Sequence, residues 1–229
     1  MVIGGFQKFS LADFPGKISA IVFTRGCNFR CPYCHNPGLV DPARYAPEIP
    51  QEEVLRFLGS RKGQLQGVAL TGGEPTLHDD LPSFLARIQA LGFATKLDTN
   101  GSNPDLLQGL IQDSLVDFIA MDIKAPLTAY PRVAGVAVRV EDIERSVRLV
   151  IGSGLPHEFR TTYESSLLSI QDMEAIAEIV RGCAHYVVQS FRPSTALDPA
   201  MRARARPDRA ALQEIRKLME TAGLPVRVR

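Results

Sequence analysis

Short apolar runs alternate with amphipathic stretches along most of the chain. The apolar runs are bounded by Gly, Pro or polar residues, and most are rich in Val, Ile, Leu or Phe, which is typical of strands buried on both faces. Six runs have this character and each predicts a strand: Ser19–Thr24, Gly67–Thr71, Ala94–Asp98, Asp117–Asp122, His157–Thr162 and Tyr186–Phe191.

Between these runs, apolar residues recur every three or four positions, the spacing of one buried helix face. This spacing predicts six helices: Gln51–Arg61, Leu81–Leu91, Pro104–Gln112, Glu141–Ile151, Ile170–Arg181 and Pro207–Ala222. Asp105, Ser169 and Asp172 lie near helix starts and are predicted caps.

A strand followed by a helix, six times over, indicates parallel strands joined by right-handed crossovers. Six units are fewer than the eight of a closed barrel. We therefore expect an α/β fold, a partial, open (β/α)6 TIM-like barrel, forming one domain over residues 1–229. Its core would run from about residue 17 to 195, followed by a C-terminal helix at about 207–222. The chemistry of such sheets lies at the carboxyl ends of the strands.

Composition and charge argue against a nucleic-acid-binding, membrane-spanning or secreted protein. The 229 residues are 45% hydrophobic, and the formal net charge of +1 does not favour a nucleic-acid partner. The basic stretch 202–209 is interrupted by Ala, Pro and Asp, and we interpret it as a solvated loop or helix start. No apolar run approaches the roughly 20 residues that span a bilayer, and residues 1–6 lack a signal-peptide pattern. We expect a cytoplasmic protein with no membrane partner.

Three of the four cysteines lie in one loop directly after the first predicted strand, at Cys27, Cys31 and Cys34. A tight cluster of this kind indicates a metal site rather than a disulfide framework. A [4Fe–4S] cluster usually takes four thiolates, so three would leave one iron open. Cys183 stands apart and is interpreted as a small buried side chain.

A zinc site is the alternative for these cysteines. Structural zinc needs four protein ligands. His35 is adjacent to Cys34, which makes shared tetrahedral ligation awkward, and Cys183 lies far along the chain.

Polar segments close the next three predicted strands: Thr71–Pro75, Leu97–Gly101 and Met121–Lys124. Paired glycines in the first allow close approach of the backbone to a ligand, and Glu74 offers a carboxylate to an ammonium group. The simpler interpretation of Thr71–Pro75 is a strand-to-helix turn, and that of Leu97–Gly101 is an Asn-Gly turn. For Met121–Lys124 it is a surface ion pair between two residues on one face of the strand.

The Cys-x3-Cys-x2-Cys pattern, with aromatic Tyr33 before the last cysteine, resembles the radical S-adenosylmethionine superfamily. The resemblance implies that Cys27, Cys31 and Cys34 ligate a [4Fe–4S] cluster and carry the catalysis. The open iron would bind S-adenosyl-L-methionine, which is cleaved reductively to a 5′-deoxyadenosyl radical.

The three polar segments resemble the GGEP, DTNG and D-x-K segments of glycyl-radical-enzyme activases in this superfamily. By this resemblance Glu74 binds the methionine amino group, and a possible monovalent cation lies at Asp98, Thr99 and Asp122, where oxygen ligands suit a hard cation. For Arg160 the alternative is a structural pair with a carboxylate. The implied cofactor-binding residues are Tyr33, Gly72, Gly73, Glu74, Asp98, Asn100, Asp122, Lys124, Arg160 and Gln189.

Four further segments resemble the activating proteins of anaerobic ribonucleoside-triphosphate reductases: Gly4–Lys17, Cys34–Pro37, Phe159–Thr162 and Ser190–Pro193. The resemblance implies an oxidoreductase that generates a glycyl radical on a partner enzyme, with flavodoxin or ferredoxin as electron donor. Asp13 would help to receive the partner's loop through a wide lateral opening, and Arg192 is a second candidate contact.

Two other functions fit the same motifs. A radical enzyme acting on a small molecule, peptide or nucleoside would share the core motifs, although such enzymes often carry extra domains or clusters. An electron-transfer or structural cluster protein would be better served by four thiolates, and it would leave Glu74, Asp122 and Lys124 unexplained.

Overall fold

The computed structural model describes all residues 1–229 and has an α/β fold. Its strands are hydrogen-bonded in chain order, from the first strand to the eighth, so the sheet is open. The strands are β1 (Ile3–Ser10), β2 (Ser19–Thr24), β3 (Gly67–Gly72), β4 (Ala94–Thr99), β5 (Phe118–Asp122), β6 (His157–Tyr163), β7 (Tyr186–Ser190) and β8 (Val226–Val228).

The pairings are mostly parallel. β2, β3 and β4 are parallel to one another, as are β6, β7 and β8, whereas β1 runs antiparallel to β2. The prediction of an open, largely parallel α/β fold is confirmed, and all six predicted strands are present as β2 to β7.

The helices are α1 (Pro37–Val40), α2 (Gln51–Gly59), α3 (Leu81–Ala90), α4 (Pro104–Gln112), α5 (Tyr130–Ala134), α6 (Val140–Gly152), α7 (Ile170–Ile179), α8 (Pro199–Arg202) and α9 (Arg209–Thr221). The six predicted helices are confirmed to within a few residues. Ser169 caps α7: its hydroxyl accepts the backbone N–H of Asp172, whose carboxylate accepts the N–H of Ser169, which forms a capping box.

Two strands were not predicted, β1 and β8. β1 is an edge strand in which Gln7, Lys8 and Phe9 are exposed, so it lacks the continuous apolar run of a central strand. β8 has three residues, and two of them are exposed. Neither sequence carries the hydrophobic signal on which the prediction depended.

The chain forms two compact units. The N-terminal unit consists of Met1–Asn28, Gly38–Thr99 and Asp105–Ile119, and the C-terminal unit of Phe29–Pro37, Asn100–Pro104 and Ala120–Arg229. In the N-terminal unit, β2 and β3 bury residues such as Val22 and Leu70, and α2 and α3 bury Leu58 and Leu85.

The C-terminal unit has its own apolar core. Phe159 of β6 and Val188 of β7 are fully buried, as are Met173 and Ile176 of α7 and Ile215 of α9. The basic stretch 202–209 joins α8 to α9 and is almost entirely exposed, as expected. None of the helices has both the length and the apolar character needed to cross a bilayer.

Candidate active site

The predicted site residues are divided between the two units. The N-terminal unit holds Cys27, Gly72, Gly73, Glu74, Asp98 and Thr99. The C-terminal unit holds Cys31, Tyr33, Cys34, Asn100, Asp122, Lys124, Arg160 and Gln189.

In the N-terminal unit, the Gly-Gly turn after β3 lies against the backbone that precedes Cys27. The Gly73 N–H donates to the Thr24 carbonyl at 2.9 Å, and the Glu74 N–H donates to the Gly26 carbonyl at 2.8 Å. A Cβ on Gly73 would lie 1.8 Å from the Gly26 oxygen, and Gly72 has φ +116°. In the structure both glycines allow close contact with the chain itself.

Glu74 is fully buried at the end of β3. Its Oε1 accepts hydrogen bonds from the Thr76 backbone N–H at 3.0 Å, the Thr76 hydroxyl at 2.6 Å and the Thr99 hydroxyl at 2.8 Å. These donors fix the carboxylate in one orientation. Thr76 was not predicted as a site residue, although it follows the conspicuous Gly-Gly-Glu-Pro segment directly.

Asp98 is paired with Lys96, a residue that was not predicted to belong to the site. The Lys96 ammonium donates to the Asp98 carboxylate and lies 5.8 Å from the centre of the Phe118 ring. Lys96 is only 1% exposed. The available signal was a lysine within a predicted buried strand, two residues before an aspartate on the same face.

In the C-terminal unit, the loop carrying Cys31 and Cys34 is tied to α5. The Arg30 N–H donates to the Ala134 carbonyl at 2.8 Å, and the Cys34 N–H donates to the Cys31 carbonyl at 3.0 Å. Gly135, with φ +71°, packs against this loop, since a Cβ there would lie 2.3 Å from the Arg30 oxygen. Only glycine accommodates both the left-handed backbone and this contact.

The same loop has two further attachments. The Asp198 N–H donates to the Pro32 carbonyl at 2.9 Å. The His35 ring stacks on Phe191 with centroids 5.9 Å apart, and its Nε2 accepts the Arg192 N–H at 3.2 Å. His35 is therefore used as an anchor to the end of β7. No three His, Cys, Asp or Glu side chains in the structure are arranged to hold a single metal ion.

Burial controls the chemistry of these two thiols. It raises the pKa of Cys31 to about 11 and also raises that of Cys34, while the nearby Lys124 ammonium acts in the opposite direction. Metal ligation requires thiolates, so binding of iron must displace these protons. The Tyr33 hydroxyl beside them is buried with no hydrogen-bond partner, and burial raises its pKa well above the usual value.

Asp122 lies between two cations. Its Oδ1 accepts from Arg160 Nε at 2.8 Å and its Oδ2 from Lys124 Nζ at 2.8 Å. Burial alone would raise the pKa of Asp122, but these two charges outweigh it and hold the pKa well below its usual range. The surface ion pair considered as the simpler interpretation is thus a partly buried cluster of three, and Arg160 forms the carboxylate pair given as its structural alternative.

The remaining predicted residues have local contacts. Asn100 is buried, and its Oδ1 accepts the Ser102 N–H at 2.9 Å, shaping the turn after β4. The Thr162 hydroxyl donates to Gln189 Oε1 at 3.5 Å. The Ser10 hydroxyl donates to Asp13 within an exposed turn. Cys183 is buried as interpreted, and burial raises its pKa to about 11.

Comparison with known proteins identifies related chains. The family profile described as the Radical SAM superfamily matches residues 21–183. A protein of Methanocaldococcus jannaschii, provisionally named glycyl-radical enzyme activating enzyme, is 31% identical over 222 residues, covering 95% of this chain and 91% of its own length.

Other relatives match over shorter ranges. The 7-carboxy-7-deazaguanine synthase of Methanopyrus kandleri is 33% identical over 49% of this chain and 52% of its own. The pyruvate formate-lyase-activating enzyme of Clostridium pasteurianum is 34% identical over 54% of each chain. The chain thus spans about half the length of these two relatives.

Among solved structures, Streptococcus suis SuiB bound to the precursor peptide SuiA superposes with a TM-score of 0.71, over 91% of this chain and 48% of that one, at 15% identity. At this identity the similarity shows a shared fold.

Proposed function

Because this chain belongs to the radical S-adenosylmethionine superfamily, we propose that it is an activating enzyme that generates a glycyl radical on a partner enzyme. The observation that carries the proposal is the similarity to the M. jannaschii protein, which extends over nearly the whole of both chains. The 7-carboxy-7-deazaguanine synthases of Methanopyrus kandleri and Thermococcus kodakarensis match over less, 49% and 78% of this chain and 52% and 76% of their own length.

We infer that the partner is an anaerobic ribonucleoside-triphosphate reductase. The segments Gly4–Lys17 and Cys34–Pro37 support this assignment through the resemblance described above. A flavodoxin or ferredoxin would supply the electron. No disulfide links the four cysteines, which fits the reducing conditions of a cytoplasmic location.

The residues present fit the two cofactors of the family. Cys27, Cys31 and Cys34 would hold a [4Fe–4S] cluster, each thiolate on a different iron, and leave one iron for S-adenosylmethionine. The unpartnered, buried Tyr33 hydroxyl is a polar atom that a bound group would satisfy. When bound, the cofactors supply reductive cleavage of the sulfonium bond and a 5′-deoxyadenosyl radical that takes one hydrogen from a glycine Cα.

The protein's own residues would bind and orient S-adenosylmethionine. Glu74 would accept the methionine ammonium, because its carboxylate is buried and already held by Thr76 and Thr99, so little reorganisation is needed. Lys124 and Arg160 keep Asp122 ionised beside the cysteine loop. No general base is needed for hydrogen-atom removal, so the task of this site is positioning and exclusion of water.

The test is anaerobic reconstitution with iron and sulfide, followed by reduction in the presence of S-adenosylmethionine and the candidate reductase. We expect a brown protein with about four irons, release of 5′-deoxyadenosine, and a glycyl doublet in the electron paramagnetic resonance spectrum of the reductase. Cys31→Ala is expected to lose all three signals.

The alternatives give different results. Cleavage without a glycyl doublet would favour modification of a small molecule, peptide or nucleoside, for which the similarity to 7-carboxy-7-deazaguanine synthase is the supporting observation. A cluster without cleavage would indicate electron transfer. A colourless, zinc-loaded protein would contradict the assignment of the cysteines.

A further inference from the structure

The side chains of Asp98 and Thr99, to which the resemblance assigns a monovalent cation, already form hydrogen bonds within the chain. They are consecutive residues of β4, so their side chains leave opposite faces of the strand. Asp98 accepts from Lys96, whereas the Thr99 hydroxyl donates to Glu74 Oε1 at 2.8 Å. One cation held by both side chains does not fit this arrangement.

The burial of Lys96 makes its pairing with Asp98 hard to replace. Its side chain is almost completely inaccessible, and its neighbours include the Phe118 ring. A buried ammonium is costly unless it is paired. A K⁺ or Na⁺ ion that took over the Asp98 carboxylate would leave this ammonium uncompensated, so the positive charge at Asp98 is part of the polypeptide.

The carboxylate of Asp122, in the C-terminal unit, is likewise already paired with cations of the chain. One oxygen accepts from Arg160 and the other from Lys124, both at 2.8 Å. Two cations already face one carboxylate, and a third would be repelled by both.

We propose that Lys96 supplies at Asp98 the positive charge that a monovalent cation provides in the activases the sequence resembles, so that this chain binds S-adenosylmethionine without K⁺ or Na⁺. The cofactor part of this inference rests on the proposed function. The absence of a cation site at Asp98 does not, and it is tested separately.

The first test is thermal unfolding of the reconstituted protein in KCl, NaCl or choline chloride at equal ionic strength, because an ion that binds only the folded state raises Tm. The wild type should unfold at the same temperature in all three salts. Lys96→Met should unfold at a lower temperature in choline chloride and recover part of the loss in KCl or NaCl, which can now reach Asp98. Lys62→Met, at an exposed lysine, is the matched control and should show neither effect.

A wild-type Tm that rises in KCl or NaCl but not in choline chloride would overturn the proposal. If Lys96→Met does not fold, the double variant Lys96→Met with Asp98→Asn leaves no buried charge without its partner. This double variant should fold and should not respond to K⁺ or Na⁺, and a response equal to that expected of the single variant would contradict the role of Asp98.

The second test measures the Kd of S-adenosylmethionine for the reconstituted protein in the same salts. The wild-type Kd should not change with the cation, whereas Lys96→Met should bind about tenfold more weakly in choline chloride and regain affinity in KCl or NaCl. Wild-type binding that depends on K⁺ or Na⁺ would refute the Lys96 inference and leave the proposed function intact. No binding in any salt would refute the proposed function, and the unfolding series would still decide the question of the cation.

Discussion

The carbonyl oxygen of Gly26 lies 1.8 Å from the position that a Cβ on Gly73 would occupy. The same oxygen accepts the Glu74 N–H at 2.8 Å. The turn after β3 and the start of the cysteine loop are therefore in direct backbone contact. Two motifs that are far apart in the sequence are therefore parts of one structural feature.

Gly73→Ala should disrupt this contact. Its Cβ would meet backbone rather than a flexible side chain, so the turn or the cysteine loop must move. We expect a loss of stability of about 2 kcal/mol or more and weak or absent cluster binding, measured by urea unfolding and by iron content. Gly109→Ala, in α4, is the control: nothing lies within 4 Å of its Cβ, and it should stabilise the protein by about 0.5 to 1 kcal/mol.

Two substitutions of Glu74 should separate its effect on cofactor binding from its effect on the stability of the protein. In Glu74→Gln the amide oxygen can still accept from Thr76 and Thr99, but the negative charge is lost, so the Kd of S-adenosylmethionine should rise by about tenfold or more. Glu74→Ala instead leaves three donors without an acceptor and should cost about 3 kcal/mol of stability. Calorimetric titration and urea unfolding of both variants test this. Unchanged binding by Glu74→Gln would exclude the carboxylate as the ammonium acceptor.

The cysteines should divide into two classes. Cys31→Ala should abolish reconstitution of the cluster, measured as iron content and visible absorbance, because it removes one of three thiolate ligands. Cys183→Ala should keep full iron content and lose only about 1 kcal/mol of stability, as a small buried side chain does. Equal iron loss in the two variants would show that the ligand set has been assigned incorrectly.

Asp122→Asn should destabilise the C-terminal unit. It removes the charge that compensates both Arg160 and Lys124, and breaking such a partly buried cluster from one side should cost about 3 kcal/mol. Because the pKa of Asp122 is held well below its usual range, its contribution is complete at neutral pH and is lost progressively as the pH falls from the ordinary aspartate pKa through that lowered value.

Urea unfolding at pH 7 measures the effect. Glu220→Gln is the matched control, since it breaks an exposed pair with Arg216, one helical turn away in α9, and should cost at most about 0.5 kcal/mol. Similar losses in the two variants would mean that the Asp122 cluster contributes no more than a surface pair.

Local patterns were sufficient for most of the architecture. The strands β2 to β7 were predicted from short apolar runs, because central parallel strands are continuously apolar. The six helices were predicted from periodicity, because packed helices carry one apolar face. β1 was not identified because an edge strand needs no such run. Its place depends on pairing with β2, a contact between segments that have no local signal in common.

The candidate site residues also divide into features that local sequence patterns indicate and features that depend on tertiary contacts. The spacing of the cysteines and the polar ends of the strands are local features, so the sequence by itself determined the family and predicted the ligand types. Only the tertiary structure decided that Lys96 is the partner of Asp98 and that Arg160 joins Lys124 at Asp122. It also decided that Gly73 and Gly135 are required by other parts of the backbone. Burial, charge pairing and close backbone contact depend on which segments meet in space, and that is a property of the packed chain.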